Sequence, residues 1–186
     1  MVGNDTIHTV TRKEHDCIGY MDVPKDVYWG IHTQRALGNF TVSRIADSTH
    51  PQLMRAYATV KRACAEANDE LGLIDHDKAR LIVAACRDVE NGELADQFPV
   101  DVFQTGSGTS SNMNANEVIA TLASRVLGEQ VDHRLLDSAH QLAHADAAPR
   151  EVEQQVDHHL AGAVVGDLSA AVEVDQRDAV VDQQVL

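Results

Sequence analysis

From Leu53 onward, apolar side chains return every three or four residues, as Leu53, Tyr57, Val60, Cys64, Ala67 and Leu71. That spacing fits one face of an α-helix and excludes a strand, whose faces alternate at every second residue. Gly72 follows as a stop, because glycine enters the left-handed helix-closing conformation without steric cost. A second run of the same period, Leu81, Ile82, Ala85 and Val89, begins behind Asp75 or Asp77, either of which can accept from the first free amides. Gly92 ends that run. Two such helices joined by a short loop pack antiparallel. Aromatic residues make up only 4% of the chain, which favours Ala/Leu/Val-packed helices over a sandwich of sheets. The expected class is therefore mainly α.

Outside these helices the pattern changes three times. Residues 1–40 read as irregular, with a Gly19-Tyr20 turn, a break at Pro24 and one short helix around Thr33 to Leu37. "DQFPVDVFQ" runs extended across Pro99 and leads into "TGSGTSSNMNANEVIA", Thr105 to Ala120. Beyond it Val118, Ile119, Leu122, Ala123 and Val126 form another helical face. From Leu127 the vocabulary contracts: no Lys, aromatic, Ile, Met, Asn, Thr or Cys occurs again, and Gln-Val-Asp and Val-Val fragments recur. Such contraction marks a compositionally biased tail. The expected boundary lies at Gly128, with 1–128 a folded unit and 129–186 an acidic low-complexity tail.

Charge follows the same division. Residues 127–186 hold twelve acids against three arginines, and the whole chain of 186 residues carries −14. A basic face is what phosphate backbones require, so nucleic acid is not the expected partner. Acidity raises solubility and suits a salty cytoplasm, without identifying a substrate. Cys17, Cys64 and Cys86 lie far apart with no Cys-x-x-Cys pair, as reduced cytosolic thiols would, and each is read as a small core hydrophobe. No stretch reaches the roughly 18 apolar residues of a membrane span, and the first residues lack an apolar export core. The expected protein is soluble, cytoplasmic and not membrane-bound.

The segment from Thr105 is the richest in chemistry. Gly106 and Gly108 permit the dihedrals that turn successive N–H groups into a concave anion nest. Ser107, Thr109, Ser110 and Ser111 add hydroxyls, and the following helix aims its positive end at the same place. A P-loop would end in Gly-Lys-Ser/Thr, and a dinucleotide fingerprint would carry a third glycine where Ser111 stands. Neither template fits. Neutral hydroxyls and amides, with Asn112, Asn114 and Asn116, suit a small carboxylate oriented by hydrogen bonds. An ordinary turn, with Asn114 and Glu117 as a capping box, explains the same composition.

This motif resembles a signature of the fumarase/aspartase superfamily, and specifically that of class II fumarate hydratases. The likeness continues through "ADQFPVDVFQ", "LMRAYATVKRACAEANDELG" and "RKEHDCIGYMDVPKDVYWGIHTQRALGNF", covering roughly Arg12 to Gly128 in order. It implies an N-terminal lyase domain and the start of a central helical bundle, with no cofactor. It further implies that Ser107, Gly108 and Thr109 bind a substrate carboxylate and that Asn112 lines the same pocket. Family members add water across fumarate through a carbanion whose charge spreads into an aci-carboxylate, so donors fixed there strengthen as charge develops. "TGSG" and Gln34 look fumarase-like, whereas His32 resembles the aspartase pattern. Aspartate ammonia-lyase is the second reading.

After Gly128 the family's "HPNDHVN", "SSND", Thr-x-His and mobile "GSS" segments do not appear. No catalytic residue is therefore assigned. A shifted frame, a truncated or fused gene, or a decayed copy would explain the tail. The family's active site draws on several subunits of a homotetramer, so this chain is expected to be inactive alone. Without the rest of the bundle, Val118, Ile119 and Leu122 are expected to stand exposed. A non-catalytic helical remnant or interaction module is the alternative from another class. His140 and His144, one helical turn apart beside Asp137 and Asp146, are a weak metal pattern, and no metal is expected. Arg35 could face a carboxylate or simply hold an ion pair.

Overall fold

The computed structural model describes residues 10–127. A two-stranded antiparallel hairpin comes first, β1 (Thr11–Asp16) with β2 (Gly19–Pro24), paired from Thr11 opposite Pro24 to Asp16 opposite Gly19. Four helices follow: α1 (Ile31–Asn39), α2 (Pro51–Glu70), α3 (His76–Glu90) and α4 (Thr109–Leu127). The described residues adopt the expected mainly α class.

The hairpin corrects the irregular reading of the first forty residues. Its inward row is Arg12, Glu14 and Asp16, which alternate with the exposed Thr11, Lys13 and His15. A strand whose buried side is charged carries no apolar period for the eye to find. Hydrogen bonds replace apolar contact: Arg12 donates to the carbonyls of Pro24 at 2.6 Å and Val27 at 3.1 Å, and to that of Trp29. At the turn Asp16 accepts from the amides of Ile18 (2.9 Å) and Gly19 (3.1 Å), and Arg35 of α1 clamps the same carboxylate through two contacts of 2.8 Å. Arg35 thus holds an ion pair. Cys17, at the tip, is exposed rather than a core residue, while Cys64 and Cys86 are buried.

Helix α1 starts without a side-chain cap from its own N-cap residue. Two remote carboxylates take its first amides instead. Glu117 of α4 accepts from the N–H groups of Gly30 (2.9 Å), His32 (2.8 Å) and Thr33 (3.1 Å) and from the Thr33 hydroxyl (2.7 Å). Glu14 accepts from Ile31 at 2.7 Å. Negative charge at a helix N-terminus meets both its orphan donors and its dipole. Asn114 and Glu117 are therefore no capping box of α4, which begins five residues before Asn114. Glu117 caps a different helix.

Helices α2 and α3 lie antiparallel. Thr59 and Arg62 of α2 bond Glu90 at the end of α3, and Asp69 near the end of α2 meets His76 at the start of α3. Asp75 caps α3, accepting from Asp77 and Lys78 at 3.1 and 3.2 Å. Gly72, at φ 66°, closes α2 with the paired bonds Leu73 to Asn68 and Gly72 to Asp69. The buried face of α2 keeps Cys64 and Ala67 of the expected stripe and adds Met54, Ala58, Lys61, Ala65 and Asn68, while Leu53 is exposed and Tyr57, Val60 and Leu71 are half-buried.

The core joins Met54, Ile82, Val89, Phe98, Val118 and Ile119 with the alanines between them. Val118 and Ile119 are fully buried and Leu122 packs against the same cluster, so the expected exposed face is covered, chiefly by α3 and α1. Val126 stands in solvent. The chain from Phe98 to Val102 runs beside residues 45–48, with Asp47 N–H bonded to Val100 at 2.8 Å and Val102 N–H to Ile45 at 2.9 Å. That ladder carries the polar turn to the head of α4. Among the described residues, no helix is long and apolar enough to cross a membrane.

Candidate functional site

Thr105 to Gly108 form the turn that feeds α4. Gly108, at φ 68°, holds the left-handed conformation; its N–H donates to Thr105 at 3.0 Å and its carbonyl accepts from Asn112 at 3.1 Å. A Cβ there would also sit 3.0 Å from the Tyr57 hydroxyl. Glycine is required at 108 on both grounds. Gly106 uses no left-handed backbone and has open space around it.

On this turn the hydroxyls of Ser107 and Thr109 lie 2.9 Å apart, both exposed. They flank the N-terminal end of α4, where the dipole is positive, with the Ser111 N–H there taken by Gln104 and that of Asn112 by Gly108. One turn further, Asn112 is half-buried, and its Oδ1 accepts from Lys61 Nζ at 2.6 Å. Of the four residues named from the sequence, Ser107, Gly108 and Thr109 share the turn, while the Asn112 side chain is held by Lys61 of α2. Asn114 and Asn116 are not with them: both are fully buried, and Asn114 donates to the Gln97 carbonyl at 3.0 Å.

Ser111 also turns inward. Its hydroxyl donates to buried Asp47, its N–H to Gln104 Oε1 at 3.1 Å, and Gln104 Nε2 donates to its oxygen at 2.7 Å. This ring ties the head of α4 to the ladder beneath. Burial chiefly pushes the Asp47 carboxyl above its ordinary range, against the lowering effect of its Ser111 and Gln104 bonds. Burial, then the charge of Asp47, raises the Tyr57 hydroxyl. Asp47, Leu53, Tyr57, Phe103 and Gln104 line an open groove of about 450 Å³ against the turn.

Lys61, Tyr57, Asp47 and Gln104 were missed in the sequence. One signal was there for Lys61. Counting from Met54 through Ala58 to Ala65 in steps of three and four passes through position 61, placing a lone lysine on the buried face. No three His, Cys, Asp or Glu residues gather as a metal site among the described residues. The His140/His144 pattern and the tail lie outside them.

Comparison with known proteins gives this geometry a context. Residues 19–144 match the family model described as Lyase. The class II fumarate hydratase of Halobacterium salinarum is 56% identical over 125 residues, which are 67% of this chain and 26% of that protein. The aspartate ammonia-lyase of Escherichia coli K12 is 48% identical over 120 residues, 64% of this chain and 25% of that one. Among solved structures, the fumarate lyase:delta crystallin of Brucella melitensis in its native form superposes with a TM-score of 0.65 at 48% identity, covering 71% of this chain and 31% of that chain. The chain spans about a quarter of the length of the curated relatives it matches.

Proposed function

This chain belongs to the fumarase/aspartase family of lyases, and on that premise we propose that Ser107, Gly108, Thr109 and Asn112 form the wall of a pocket that holds one substrate carboxylate during reversible hydration of fumarate to malate. The observation that carries the reading is the pair of exposed hydroxyls, 2.9 Å apart, over the Gly108 turn at the N-terminal end of α4. In this arrangement one of the two hydroxyls donates to the other; turned outward, each can donate to a carboxylate, which accepts through two oxygens. Neutral, fixed donors also suit the reaction, because charge grows on that carboxylate as the neighbouring carbon loses its proton. Donors already in place gain strength there without reorganising.

In this reading the 186-residue polypeptide supplies the carboxylate wall and lacks the groups that move protons. The same reading makes the longer enzyme a cytoplasmic homotetramer of the tricarboxylic acid cycle. Titrating the protein with fumarate and malate, while following backbone amide resonances of residues 105–112, tests the wall. Shifts confined to that turn, lost in Thr109→Val, are expected. Shifts scattered over the surface, or none, would overturn it.

Aspartate ammonia-lyase is the second reading, favoured by the 48% identity to the Escherichia coli enzyme. Stronger displacement of the same resonances by aspartate than by malate would select it.

A further inference from the structure

Beneath the proposed carboxylate wall, α2 and α4 meet in a matched register. Tyr57 lies against Gly108, just before α4, its hydroxyl donating to that carbonyl at 3.5 Å, and four residues further along each segment Lys61 of α2 reaches Asn112 of α4 at 2.6 Å. Residues four apart share a helix face, so one face of α2 supports both points of the turn. Lys61 is only 1% exposed. Lysines almost never sit this deep without a polar purpose, because an ammonium removed from water is costly.

We propose that Lys61 is a positioning residue of the carboxylate pocket: it holds Asn112 by its carbonyl oxygen and places a buried positive charge one side chain behind the bound anion. An ammonium has three donors and no acceptor, so it selects the oxygen end of the Asn112 amide. The rotation of that side chain is thereby set, with its NH₂ end directed away from the lysine. In a poorly screened interior, the same charge favours dianions over neutral molecules of equal shape. Lys61 makes its contribution through Asn112 and through its field rather than by touching the ligand. This inference rests on the carboxylate reading of Ser107, Thr109 and Asn112.

The test uses the full 186-residue chain, with fumarate and its neutral diamide as probes. Lys61→Met is nearly isosteric, and Asn112→Ala removes the amide it holds; a second route, Lys61→Gln, keeps a donor without the charge. Folding of each variant is checked by its amide spectrum. Fumarate affinity should fall about tenfold in Lys61→Met, in keeping with a lost hydrogen bond to a charged group. Affinity for the diamide should move much less. In the double variant with Asn112→Ala the losses should fail to add, and the Asn112 side-chain NH₂ resonances should shift in Lys61→Met before any ligand is present. If wild-type protein binds neither probe at the turn, the carboxylate reading falls and this inference with it. Should wild type bind fumarate while Lys61→Met and Lys61→Gln bind it equally well, or lose both probes alike, the positioning role alone is overturned.

Discussion

Gly30 is where three distant parts of the chain converge. A Cβ at this position would lie 2.7 Å from Glu117 Oε1 and 2.8 Å from Glu14 Oε2. Both carboxylates would have to leave the amides they cap, so Gly30→Ala should destabilise the fold by about 2–3 kcal/mol, the scale of lost bonds to charged groups. Chemical denaturation measures this, and a midpoint equal to wild type would contradict the capping geometry. Glu117→Gln keeps the shape but replaces one of two acceptor oxygens by a donor. It faces four donors at 2.7–3.1 Å, so a loss of similar size, about 2 kcal/mol, is expected in the same experiment. Neither residue stands out in the sequence, because a carboxylate that caps a helix 84 or more residues away leaves no local pattern.

Among the elements, the hairpin and the ladder depend on single charged residues. Arg12 bonds four carbonyls of the segment from Pro24 to Trp29, those of Pro24, Lys25, Val27 and Trp29. Arg12→Ala should raise amide exchange across β1 and β2 while leaving α2 and α3 protected, since those helices are held by their own apolar faces. Uniform loss of protection would show instead that the hairpin is integral to the core. Asp101 plays the corresponding part for the ladder: the Ser43 hydroxyl, then the amides of Phe103, Arg44 and Ser43, draw its carboxyl down to about 2, against the opposing effect of burial. A carboxyl lowered in the folded state stabilises above its unfolded value of about 3.9, and that contribution fades as pH falls toward about 2. Replacing it by Asn should therefore flatten the loss of stability across that window. Asp47 has the reverse sign, because its raised value makes its ionised form a burden at neutral pH that acid relieves.

For the molecule as a whole, the decisive quantity is how much of an enzyme this chain supplies. It spans about a quarter of its relatives' length, and the proposed carboxylate wall would form only one side of a pocket. The 186-residue polypeptide by itself should not turn over fumarate. Following the ultraviolet absorbance of fumarate checks this, and conversion near the rate of a long family member would refute it.

Helix α3 shows what could be read directly: its apolar period, its Asp75 cap and its Gly92 stop are local facts, each set within a turn or two of the chain. The polar turn itself was legible too, since glycine, hydroxyl and amide chemistry is compressed into eight positions. Local physics does not choose which neighbour a helix meets. Only the tertiary structure turned α2 so that Lys61 is buried and Tyr57 only half so, sent Glu117 to cap α1, and set Asn112 on Lys61 while burying Asn114 and Asn116. Sequence by itself determined the helices and the donors, because propensity and capping act over a few residues. Packing decided their partners, because buried charges are satisfied wherever the fold brings a complement within reach.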